Sequence, residues 1–205
     1  MMALSSSTDI PRPDVLFKLG GSLLEWSGLP ESLEGVLANC DPRPVAIVVG
    51  GGAAADAVRR WDGTHRLGAA LAHELAIAAM DLNARMVREL LRRQGRAVVT
   101  RPEDLRTGAT LIPDLEAELL RAVDGAPSPS WDVTSDSLAA WLARRLGAGQ
   151  IVLLKSIDPP EDRRLTTAMD RRLVDPRFAE FAAGLQVSWI NLRGGANQPI
   201  IPLVS

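Results

Sequence analysis

The chain has 205 residues, 46% of them hydrophobic and 23% charged, with a formal net charge of -2. That composition is globular, leaves room for one sizeable α/β domain, and excludes both general disorder and the concentrated basic face of a nucleic-acid protein. One cysteine, Cys40, excludes an intrachain disulfide and a cysteine-ligated zinc cage.

No apolar run reaches the ~18 residues that span a bilayer. Met1 to Pro13 is rich in Ser and Pro and has no basic-then-apolar leader pattern. The expectations are a flexible N-terminus over 1–13, a single domain over 14–205, a cytoplasmic location, and no membrane or nucleic-acid partner.

In chain order, Val15 to Leu19 reads as a strand, punctuated by Gly20-Gly21-Ser22. Leu23 to Leu37 is a broken helical stretch. Val45 to Val49 is a β-branched run, as in a strand buried on both faces. It ends in Gly50-Gly51-Gly52, and Ala53 to Trp61 is helical in character. Leu67 to Arg93 gives the longest helical signal. One stripe is Leu67, Leu71, Leu75, Ala79, Leu82, Met86 and Leu90; a second is His73, Ile77, Met80, Ala84, Val87 and Leu91. Apolar residues on two faces predict a helix packed between neighbours.

Ala97 to Val99 reads as a short strand, Leu115 to Val123 as a helix, Gly125 to Ser130 as a loop, and Trp131 to Val133 as a brief strand. Ser137 to Leu146 is an amphipathic helix, with Thr134 or Ser135 as its N-cap and Gly147 at its end. Ile151 to Leu154 is another buried-strand run. Arg177 to Ala183 looks helical, Val187 to Ile190 like a strand and Pro199 to Val204 like an extended tail. Alternating strands and helices predict an α/β fold, a three-layer αβα sandwich with an open, mainly parallel sheet, and ligands at the carboxyl ends of its strands.

Of the 23 basic residues only Lys18 and Lys155 are lysines. Against so strong an arginine bias, a compact ammonium meeting phosphate as a point charge is one reading; chance retention of two surface lysines is the other. Lys18-Leu19-Gly20-Gly21-Ser22 lets an ammonium and backbone N–H groups converge on an anion, or is an ordinary tight turn. Gly50-Gly51-Gly52 permits close backbone approach to a phosphate. Gly50-x-Gly52-x-x-Ala55 also satisfies a loose dinucleotide fingerprint. That reading needs an acidic residue at the end of a following strand, and a long helix follows instead. No GxxxxGK(S/T) run is present. Asp136, in the first turn of its helix, either favours the helix dipole or orients both lysines around a triphosphate.

In order, KLGGSLL, VVGGGAAADAVR and VTSDSLAAWLARRLGAGQIVLLKSID resemble the amino-acid-kinase superfamily over Val15 to Asp158. AHELAIAAMDLNA, VTSDSLAAWLA and the VDPRF…VSWINLRG ending are most similar to the small aminomethylfuran-methyl-phosphate kinases of methanofuran biosynthesis. The resemblance implies an ATP- and Mg²⁺-dependent phosphotransferase acting on a small-molecule acceptor, with a furan-methyl phosphate giving a diphosphate as the leading choice.

The resemblance also assigns roles. Lys18 would contact the transferred group, Asp136 would organise the lysines, and Gly20, Gly21 and Ser22 would meet the triphosphate through the N–H groups of both glycines. Lys155, Ser156 and Asp158 would lie along the nucleotide. Gly50, Gly51 and Gly52 would face the acceptor, with Asp56, Arg59 and His73 as further acceptor-side candidates. His73 also reads as a hydrogen-bonded core or near-site histidine, and Asp56/Arg59 as a surface i,i+3 pair. No dedicated metal ligands are expected, because phosphates would hold the Mg²⁺. A homo-oligomer is the expected assembly.

The chain departs from the family pattern in lacking a lysine after 155 and in carrying Pro159-Pro160 after Asp158. Either Lys155 or one of Arg163, Arg164 and Arg171 supplies the late charge. The alternative is a non-catalytic nucleotide- or anion-binding protein of the same fold.

Overall fold

A computed structural model of the chain describes residues 11–122, 125–194 and 198–204. Most of the expected flexible N-terminus, and Val123, the expected end of a helix that in fact stops at Leu120, lie outside those residues. One seven-stranded sheet organises the rest. Its strands are β1 (Val15–Leu19), β2 (Val45–Val49), β3 (Ala97–Val99), β4 (Ala109–Leu111), β5 (Gln150–Lys155), β6 (Gln186–Asn191) and β7 (Ile201–Pro202), in the order β3-β4-β2-β1-β5-β6-β7. All pairs are parallel except β6 with β7. The helices are α1 (Leu29–Ala38), α2 (Gly52–His65), α3 (Ala69–Arg93), α4 (Leu115–Leu120), α5 (Ser135–Leu146), α6 (Leu165–Asp170) and α7 (Phe178–Phe181).

The two-residue period of a strand divides the core. Val15, Phe17 and Leu19 of β1, with Val152 and Leu154 of β5, join a cluster built on α1 and the C-terminal half of α3. Leu16 of β1, with Ile151 and Leu153 of β5, faces the other way, into a cluster with α5, Ala168, Phe178 and Trp189. Helices therefore cover both faces, as the strand–helix alternation predicted. The same alternation puts Lys18 on the face of Leu16, and Lys155 on the face of Leu153. Both face α5. Lys18 pairs in register with Leu153, so the two lysines stand on neighbouring central strands, one pleat apart. Ala139, Ala140 and Ala143 of α5 are buried; such small side chains let a helix lie close to a sheet.

Three expectations change. Trp131–Val133 is a turn, not a strand, because the Trp131 ring is engaged by side chains of α2 rather than by a sheet. β4 and α6 add elements not read from the sequence; β4 has only three residues, too few to show a period. The long helix buries its second stripe from Ile77 onward, with His73 half-buried at the cavity, but Leu71, Leu82 and Met86 of the first are exposed. Its buried positions pass from one core (Ile77, Met80) to the other (Ala84, Val87, Leu91), so one face of a helix roughly 37 Å long, at 1.5 Å per residue, serves both. Among the described residues no helix is long and apolar enough to cross a membrane.

Ile47 is fully buried in the centre of β2. Replacing it with alanine should lower unfolding free energy by about 2–5 kcal/mol, read from the urea midpoint at unchanged m-value.

Candidate active site

The carboxyl ends of β1, β2 and β5 meet the first turn of α5. Asp136 is only 5% exposed there. Lys18 Nζ lies 2.8 Å from its Oδ1, and Lys155 Nζ lies 2.9 Å from Oδ1 and 3.1 Å from Oδ2. Lys155 also donates to the carbonyl of Leu173 at 2.7 Å, and its ammonium lies 5.6 Å from the Trp189 ring centroid. Burial works against the charge on Asp136, but Lys155 and Lys18 outweigh it and hold the carboxyl at about 2. Burial dominates at Lys155, opposed by Asp136 and reinforced by Lys18, and brings its ammonium down to about 8. The trio carries a net charge near +1, placed where water is largely excluded. Such an arrangement attracts a polyanion and offsets charge that builds on it.

The two glycine turns touch each other. A methyl on Gly21 would stand 2.5 Å from Gly52 Cα, and one on Gly50 would stand 2.9 Å from Gly21 N and 3.3 Å from Ser135 Oγ. Gly52 has a φ of +50°, the left-handed region in which glycine carries no steric cost. The turns are thus packed backbone to backbone, and Asn83 of α3 fastens the second one by donating to the carbonyls of Gly50 and Gly51, both at 2.8 Å.

This packing corrects part of the expected anion cradle. The N–H of Gly20 is donated to Leu154 O and that of Gly50 to Leu19 O, each at 2.8 Å. Those two amides hold the turns to the sheet and are not offered to a triphosphate. The amides at the start of α2 precede any helical carbonyl that could accept them, so a ligand there meets donors and the positive end of a helix.

On the β5 side, Ser22 Oγ and Ser156 Oγ are 2.9 Å apart. Asp158 accepts from Asn191 Nδ2 at 2.9 Å, and Arg193 donates to Ser22 O at 3.2 Å. Ser22, Ser156 and Asp158 therefore share one rim with Asn191 and Arg193. Arg163, Arg164 and Arg171 are exposed and make none of the contacts around Asp136; the second ammonium there is that of Lys155.

On the α2 side, a cavity of about 160 Å³ opens beside Gly51 and Gly52, with Ile77, Met80 and Leu138 as apolar wall. Asp56, Arg59 and His73, the acceptor-side candidates, all line it, as do Trp131 and Ser135. Arg59 is paired with Asp56 at 2.8 Å and sits 4.6 Å from the Trp131 ring centroid. Trp131 Nε1 donates to Asp62 at 2.8 Å. Burial pushes His73 below its usual range, so a neutral imidazole faces the cavity at pH 7. Asn83, Trp131, Asp62, Asn191 and Arg193 were not singled out by the sequence as site residues; each acts through a partner distant in the chain.

Among the described residues no group of three acidic, His or Cys side chains is placed to hold a metal ion. Asp136, the buried carboxylate, is taken by two ammoniums. A divalent cation at this site would take its oxygens chiefly from nucleotide phosphates, as magnesium commonly does.

The model of the amino acid kinase family matches residues 15–159. A relative from Methanocaldococcus jannaschii, the kinase of (5-(aminomethyl)furan-3-yl)methyl phosphate, is 28% identical over 151 residues, which make up 72% of this chain and 68% of that one. In structure the chain is similar to UMP kinase from Ureaplasma parvum (TM-score 0.62, 13% identity, covering 95% of this chain and 100% of that one). It is also similar to uridylate kinase from Archaeoglobus fulgidus (TM-score 0.61, 16% identity, 93% and 100%). At these identities the structural likenesses speak to the fold.

Gly21→Ala forces the two turns apart. It should cost at least tenfold in kcat/KM, about 1.4 kcal/mol of transition-state stabilisation, while far-UV circular dichroism stays at the wild-type level.

Proposed function

The chain is a kinase of the amino acid kinase family, and from that premise we propose that it uses ATP to phosphorylate a small phosphate ester, making a diphosphate, with Lys18, Asp136 and Lys155 as the catalytic centre. The observation that carries the reading is the pair of buried ammoniums on one carboxylate, at the ends of adjacent strands and beside two fused glycine turns. In this reading the nucleotide lies on the Gly21, Ser22, Ser156 and Asp158 side, and the acceptor occupies the cavity beside Gly51 and Gly52.

A phosphate oxygen of the acceptor attacks the γ-phosphorus of ATP. The bond from that phosphorus to the β,γ-bridging oxygen breaks, and ADP leaves with the electron pair. The nucleophile is already an anion, so no general base is required, and the chain's task is positioning and charge compensation. Lys18 meets the transferred group, Lys155 offsets charge on the nucleotide, and Asp136 keeps the two ammoniums a fixed distance apart. Magnesium, if bound, would be held by the phosphates rather than by side chains of this chain and would supply further neutralisation.

The leading acceptor is the one named for the M. jannaschii relative. A small cavity with an aromatic ring, a guanidinium and a neutral imidazole suits a compact ring compound carrying a phosphate. ATP turnover across a panel of phosphorylated acceptors tests the assignment, with the furan-methyl phosphate expected to give the highest kcat/KM. Nucleotide binding without turnover on any acceptor would overturn it.

Lys18→Ala should lower kcat by about 10²-fold to 10³-fold, the range for losing one charge-stabilising donor, with a wild-type far-UV circular dichroism spectrum; turnover at the wild-type rate would sink the mechanism. Because the Lys155 ammonium lies at about 8, its charge is present below that pH and is lost as pH rises through it. The kcat/KM profile for ATP should therefore fall above pH 8. Bound triphosphate stabilises the ammonium, so the limb in kcat should sit higher. Lys155→Arg should remove the limb, since guanidinium stays charged.

A further inference from the structure

The first turn of α5 carries Asp136, yet the cap expected from Thr134 or Ser135 is absent. Thr134 stands at the N-cap position, and its side chain makes no capping bond. The carboxylate that meets this helix end comes from outside it. Asp175, in the segment joining α6 to α7, is 6% exposed. It accepts from Thr134 N at 3.0 Å, Thr134 Oγ1 at 2.9 Å and Ser137 N at 2.9 Å. It accepts as well from Ser137 Oγ and, at 3.2 Å, from Arg177 N. Four of those donors bracket Asp136, two on Thr134 and two on Ser137. Two residues earlier in the same segment, Leu173 O accepts from Lys155 Nζ.

Resting on the reading of the site given above, we propose that Asp175 is a positioning residue for phosphoryl transfer, fixing the start of α5 so that Asp136 and Leu173 O together hold Lys155 in place. An ordinary N-cap side chain satisfies a single backbone N–H of its helix. Four bonds, two on either side of one catalytic carboxylate, also fix its direction, and a group oriented this way keeps the geometry that the chemistry requires. The segment grips the centre twice, once through the helix that carries the carboxylate and once through the lysine itself.

The proposal has an electrostatic consequence that simple capping lacks. The Lys155 ammonium is faced by Asp136 of α5, Lys18 of β1, the Leu173 carbonyl and Asp175 of the connecting segment, and the Trp189 ring of β6. The negative charge of Asp175 favours the charged form of Lys155. Removing that charge should let the ammonium lose its proton at lower pH.

The chain has two lysines, so lysine labelled with ¹³C at Cε gives two side-chain signals, assigned through Lys155→Arg, and each can be titrated without substrate. In Asp175→Asn the Lys155 midpoint should move below that of the wild type. In Asp175→Glu, which restores the charge, it should move back. With ATP and the furan-methyl phosphate, kcat of Asp175→Asn should fall about 10-fold to 100-fold, the usual loss when an orienting partner is removed, with KM for ATP little changed. A folded Asp175→Asn protein with the wild-type Lys155 midpoint, or with wild-type kcat, overturns the proposal.

If Asp175→Asn does not give a folded spectrum, Thr134→Val and Ser137→Ala each untie the carboxylate from one side. Lowered kcat in both folded variants upholds the proposal, and wild-type kcat in both overturns it. Lys18→Ala run in parallel separates the two levels. Wild-type turnover there removes the site reading itself, whereas an inactive Lys18→Ala beside a wild-type Asp175→Asn removes only the role of Asp175.

Discussion

Two ammoniums share one carboxylate at the ends of the central strands, and all three groups are nearly closed off from water. Taking such charges out of water is expensive, and the cost is offset only when geometry and further hydrogen bonds are good. Here the parallel register of β1 and β5 sets the spacing of the lysines, and the alternation of each strand turns both toward α5. The start of α5 supplies the opposite charge, and the carbonyl of Leu173 takes a further ammonium proton. None of these parts is comfortable alone. A lone buried ammonium or carboxylate would shift its proton affinity until it became neutral, as burial already does in part at Lys155. The arrangement leaves one surplus positive charge facing the glycine turns, where an incoming polyanion can complete it.

The turns in turn depend on backbone contact. Glycine at these positions invites the reading that a phosphate comes close, and the geometry gives a different first reason: Gly21 and Gly52 leave no room for a side chain on either. The Gly20 amide expected to meet the triphosphate is consumed in tying its turn to β5, and the Gly50 amide likewise ties the second turn to β1. Asn83 secures the second turn from α3, the same helix whose Asp81 carboxylate accepts from the backbone N–H groups of Leu115 and Glu116 at the start of α4. A single long helix thus braces both the second glycine turn and the start of α4.

Much of this was legible in the sequence because its signals are local. β1 and β2 were read to the residue, and β5 within one residue at each end, since buried parallel strands are unbroken apolar runs ended by glycine or by a charged residue. Lys18 and Lys155 stood out by type and by position near the ends of those runs, and Asp136 by its place in the first turn of a helix. Residues that act through distant partners were not legible. Asp175 meets Thr134 and Ser137 across 41 and 38 positions, and Asn83 reaches Gly50 across 33. A lone Asp or Asn among apolar neighbours, as in Val174-Asp175-Pro176 and Leu82-Asn83-Ala84, looks the same whether it fastens a distant segment or faces water. The exposed side of α3 failed for a related reason: periodicity shows that a helix has two apolar stripes, not which of them the rest of the chain will cover.

The fused glycine turns have one more consequence. In the proposed arrangement Gly21 lies on the nucleotide side and Gly52 on the acceptor side, and their backbones are in contact, so a shift of one turn is felt by the other. Binding coupled through a shared element is reciprocal: whatever one ligand gains from the presence of the second, the second gains from the first. In that arrangement the contact is one rigid element shared by both seats, so the two substrates would bind as a coupled pair rather than independently.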